Sequence, residues 1–106
     1  MNLLERQDLK DFLVSLYGNK VKGWPMNEQI FNLTYKLVAE SGLCSGMMDF
    51  VPRPMPYGVS PLRYLKKELR GIFLRTIRQN KDQYIICIKH AARNMRAEFE
   101  LAARGF

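Results

Sequence analysis

Few residues in this 106-residue chain are able to do chemistry, and their spacing argues against catalysis. His90 is the only histidine, placed between Lys89 and Ala91 near two arginines. With cations around it and no carboxylate at helical spacing before it, it makes a poor general base and is expected at the surface or its boundary. Cys87 lies inside the apolar run Ile85-Ile86-Cys87-Ile88, where a packed thiol is expected rather than a nucleophile. Cys44 has no histidine near it in sequence. Two cysteines and one histidine complete neither a four-ligand zinc site nor a disulfide framework, so free thiols in a reducing cytoplasm are expected, not a Cys44–Cys87 bridge. Glu98 and Glu100 point about 200° apart on a helix and form no carboxylate pair. Tyr57 beside Gly58, with Arg53 nearby, lacks the metal ligands or converging cations that nucleophilic DNA cleavage requires. Phosphate-loop, dinucleotide and zinc-protease motifs are missing. The expectation is a binder without cofactor or metal, not an enzyme.

Charge is the remaining signal. Seventeen basic side chains against ten acidic ones give +7. Residues 1–60 hold six of each sign, so the whole excess lies in residues 61–106, where eleven cations face Glu68, Asp82, Glu98 and Glu100. Such asymmetry points to an anionic partner. Projected at about 100° per residue, Arg63, Lys66, Lys67, Arg70, Arg78 and Lys81 fall within an arc of roughly 120°. Leu62, Leu65, Leu69, Ile72, Phe73 and Thr76 fall opposite, and Leu74 sits amid the cations. Further on, Lys89, Arg93, Arg96 and Arg104 cluster away from Tyr84, Ile88, Ala91, Ala92, Met95, Phe99 and Ala102. Antiparallel packing of these two helices is expected to merge the basic faces.

The expected function is nucleic-acid binding through phosphates. Arg63, Lys67, Arg70 and Arg78 are the central contacts, flanked by Lys66, Lys81, Lys89, Arg93 and Arg96. Base-specific readout is not supported, because arginines alone do not separate bases from phosphates. The rival is a small adaptor or inhibitor, of a size suited to a mobile element, docking on an acidic protein surface. It would anchor through Met47, Met48, Phe50, Met55, Tyr57 and Leu74. No run of 18 apolar residues crosses a membrane, and the first residues lack the apolar stretch of a secretory signal.

The elements that must position these residues are helices. Asn2 with Glu5 forms a capping box for a first helix ending near Gly18, and Leu3, Leu4, Leu9, Phe12, Leu13 and Leu16 follow helical spacing. Asn27 caps a second, with Met26 and Phe31 at staple positions and Ile30, Leu33, Leu37 and Val38 as its stripe. Gly42 stops it, and Leu43 is placed to fold back on the last turn. Residues 43–60 carry Pro52, Pro54 and Pro56, so an extended crossover is expected, its apolar residues capping the core. Ser60-Pro61 opens a third helix, with Val59 and Tyr64 at the staple positions. A hairpin near Asn80 is favoured over one helix of about 44 residues and about 66 Å. Asn80 with Gln83, or Asp82, is expected to cap the fourth helix, with a strand over Tyr84–Ile88 as the alternative. The turn lacks the glycine of a helix-turn-helix. The reading is one all-α domain of about four helices, with a neutral half 1–42, a Pro/Met-rich crossover 43–60 and a basic half 61–106.

Overall fold

The computed structural model describes residues 1–42 and 48–105, with the backbone alone at Met48. Five α-helices occur among them, and no strand: α1 Leu3–Tyr17, α2 Glu28–Ser41, α3 Pro61–Glu68, α4 Arg70–Asn80 and α5 Ile85–Ala103. The small all-α bundle expected from the sequence is therefore what forms. The caps follow the local chemistry. Asn2 Oδ1 accepts from the Glu5 N–H at 2.8 Å, and the Glu5 carboxylate accepts from the Asn2 N–H at 3.4 Å. Asn27 and Ser60 each accept from the N–H three residues on, at 3.0 and 3.2 Å. Each such cap stabilises its helix by about 1 kcal/mol. Gly42 ends α2 at φ +79°, a conformation that costs glycine nothing. Leu43 lies outside the described residues.

The core draws on every helix: Leu9, Phe12 and Leu13 of α1, Ile30, Phe31, Leu37 and Val38 of α2, Leu65 of α3, Phe73, Leu74 and Ile77 of α4, and Ile88, Met95 and Phe99 of α5. Ala91, Ala92 and Ala102 are also buried on α5, and small side chains there let the helices approach closely. The pairing crosses the two halves of the chain. α1 packs chiefly on α4, and α2 chiefly on α5. Trp24, between α1 and α2, stacks on Phe99 with ring centroids 5.9 Å apart. Tyr17 donates from its hydroxyl to the Ala92 carbonyl at 2.6 Å, and burial pushes its phenol well above the usual range. In the crossover, Val51 enters the core and Met55 packs against it, so this segment covers one part of the bundle as expected.

Four local expectations are corrected. The third helix is two helices. Leu69, at φ −123° and ψ 34°, interrupts it, while its carbonyl still accepts from the Phe73 N–H at 2.7 Å. The chain does turn after Asn80, and a longest dimension of 41 Å leaves no room for a single rod of about 66 Å. Yet α5 lacks the side-chain cap expected from Asn80 or Asp82, because the cap position falls on Tyr84, four and two residues further on; the Asn80 amide donates back to the Thr76 carbonyl at 2.8 Å. The β-prone run 85–88 is helical, with only Ile88 facing the core; Ile86 is 83% exposed and Cys87 is an exposed free thiol, not a packed one. A helical period turns three of every four such residues away from one side. Finally, α4 and α5 do not pair as a hairpin stack, because each finds its apolar partner in the N-terminal half.

Candidate nucleic-acid interface

The break at Leu69 decides which side chains reach solvent. On an unbroken helix Leu74 would stand opposite Leu65, in the middle of the cations. Instead the inward face of α4 is rotated by roughly 100° relative to that of α3. Leu74 is fully buried and Ile72 is 39% exposed, the reverse of the continuous projection. Leu74 is thus a core residue and is removed from the candidate docking set. The same rotation brings Arg75, which the continuous projection had left out of the basic arc, to the exposed side of α4. Gly71, the second residue of α4, was the available signal, since glycine is a common companion of a helix kink.

Several of the expected contacts are engaged inside the protein. Arg70 grips the Glu28 carboxylate with both terminal nitrogens, Nη2 to Oε2 at 2.8 Å, and its guanidinium lies 4.4 Å from the Phe31 ring centroid. Arg78 Nη1 donates to the buried Asp8 carboxylate at 2.7 Å and lies 3.8 Å from Asp11. Lys66 Nζ sits 5.5 Å over the Tyr35 ring, and Lys81 lies in the turn 3.9 Å from Asp82. Arg96 Nε donates to Glu100 Oε1 at 3.0 Å, where Lys20 also meets it at 3.3 Å. Those hydrogen bonds, Arg96 first, hold the Glu100 carboxyl below the usual carboxylate range. Glu98 turns the other way, to Lys36 at 3.3 Å. The neutral half therefore supplies part of the anionic surface that the basic half called for.

The cations left without an acidic partner, among the described residues, include Arg63, Lys67, Arg75, Lys89, Arg93 and Arg104. Arg104 stands apart, beside Lys20, Trp24 and Glu100, and the other five fall in two places. Lys67 lines a cavity with Arg63 on one side and a larger groove of about 560 Å³ with Arg70 and Arg75 on the other. The elbow between α3 and α4 thus carries a continuous strip, Arg63–Lys67–Arg75, with Glu5 and Glu68 as the acids beside it. Lys89, Arg93 and Arg96 line a separate groove of about 300 Å³ against Leu16 and Tyr17. The merged face expected from helix-on-helix packing is replaced by these two patches.

Of the remaining docking candidates, Phe50 is 43% exposed, Tyr57 is wholly exposed and Met55 is half-buried against the core. Met47 and the Met48 side chain lie outside the described residues. His90 is exposed, as expected, and shares a groove of about 370 Å³ with Cys87 and Glu40. No cluster of three metal-ligating side chains occurs among the described residues, and no helix among them is long and apolar enough to cross a membrane. Comparison with protein-family models, with curated proteins and with solved structures returns no match.

Proposed function

We propose that this protein binds nucleic acid through phosphate contacts and catalyses no reaction. The observation that supports it is the elbow strip of Arg63, Lys67 and Arg75, whose charges are not neutralised by an ion pair among the described residues. Lys89 and Arg93 form a second patch for the same polyanion. Unpaired like charges repel one another and destabilise the compact state, so keeping them together favours an anionic ligand. Arg70 and Arg78, central in the sequence reading, hold the fold together and supply field rather than primary contacts.

Five phosphate contacts set a log–log salt dependence of affinity of about −4.5 on duplex DNA and about −3.5 on a single strand. Reversal of Arg63, Lys67 and Arg75 to Glu is expected to remove most binding in an anisotropy titration while the helical circular dichroism stays unchanged, since all three side chains are exposed. Affinity indifferent to both salt and reversal excludes the proposal. A nuclease-resistant protein partner, lost on replacing Phe50 by Ser but not on charge reversal, favours the adaptor reading instead.

A further inference from the structure

The end of the crossover, just before α3, borders the strip at Arg63 and Lys67. There Tyr57 and Gly58 form a tight turn between Pro56 and Val59, closed by the Val59 N–H donating to the Pro56 carbonyl at 3.3 Å. Gly58 adopts φ +80°, which a side chain would resist, so the turn depends on it. The turn lifts Tyr57 away from the bundle. Its exposure is 104% of the reference value, so both faces of the ring are open to solvent. Its chain neighbours Pro56 and Val59 line a cavity of about 290 Å³ together with Arg63, Tyr64, Lys67 and one acid, Glu68. Arg63 and Lys67 are four residues apart on α3 and share one ridge, a track for a single backbone.

An open aromatic ring next to a track of unpaired cations is the arrangement that holds unpaired bases. We propose that the ligand of the basic strip is single-stranded nucleic acid, with phosphates on Arg63 and Lys67 and one base stacked on Tyr57. This rests on the phosphate-binding reading above. Cations alone favour a duplex, which carries about twice the charge per unit length of one strand. A duplex, however, shows only base edges in its grooves and keeps its base faces stacked, so it offers the ring nothing. Every unpaired base has a free face, which makes the contact tolerant of sequence. That agrees with the missing base-specific side chains.

Anisotropy with labelled DNA and RNA single strands of about 12 nucleotides, within ordinary single-strand site sizes, and with the matching DNA duplex tests this. Both single strands are expected to bind more tightly than the duplex. Tyr57→Ala is expected to weaken single-strand binding about 5- to 150-fold in either arm and leave the duplex unaffected. Tyr57→Phe, which keeps the ring, retains binding. Tyr57 contributes nothing to the core, so neither variant endangers the fold. Single-strand affinity unchanged in Tyr57→Ala, or an equal loss on the duplex, overturns the stacking contact while the phosphate strip stands. Absence of binding to all three probes overturns both.

Discussion

At Arg78 the same side chain had two competing uses, and burial decides between them. Asp8 is buried, and its carboxylate meets the Arg78 guanidinium at 2.7 Å. Removing the cation would leave a buried charge without its partner, which costs more than a surface ion pair is worth. Because Arg78 is itself 44% exposed, solvent recovers part of that loss. Arg78→Ala is expected to lower stability by about 1–3 kcal/mol in urea denaturation. The folded variant should keep most of its nucleic-acid affinity. A stable variant that no longer binds would return Arg78 to the contact surface. The caps at Asn2, Asn27 and Ser60 were legible in sequence because their partners lie three residues away. Arg78 was not, because its partner lies 70 residues away.

At the scale of elements, the turning point is the elbow between α3 and α4. A single non-helical residue, Leu69, shifts the phase of everything after it. Leu74→Ala is therefore expected to cost about 2–5 kcal/mol, as a cavity in a packed core. Ile72→Ala, on the exposed side, should cost well under that. Chemical denaturation of the two variants makes the comparison, and the result that signals an unbroken helix is a larger loss at Ile72 than at Leu74. The elbow also explains why the basic arc was only half right in composition. Arg63 and Lys67 precede the break and stay where projection put them, whereas Ile72 and Leu74 follow it and exchange sides, and Arg75 joins the exposed face.

Across the whole molecule, the two halves are stitched together. α1 and α2 have their chief packing partners in α4 and α5, and ion pairs such as Glu28–Arg70 and Lys36–Glu98 cross the same seam. Isolated helices of 15 and 14 residues are marginal in water. A fragment of residues 1–42 is thus expected to show little helical circular dichroism by itself, and a strongly helical fragment would argue for an independently folding half. What the sequence determined alone was local: helix class, the caps at Asn2, Asn27 and Ser60, the stops at Gly18 and Gly42, the turn after Asn80 and the location of excess charge. Each rests on neighbours within one or two turns, where backbone hydrogen bonding and periodicity set the outcome. Tertiary structure alone decided which cations stay free, because pairing depends on which acid packs opposite. It also decided that Leu74 goes inside and Cys87 outside. A residue's face is fixed by the phase of its helix against its neighbours, and periodicity within one segment does not contain that phase.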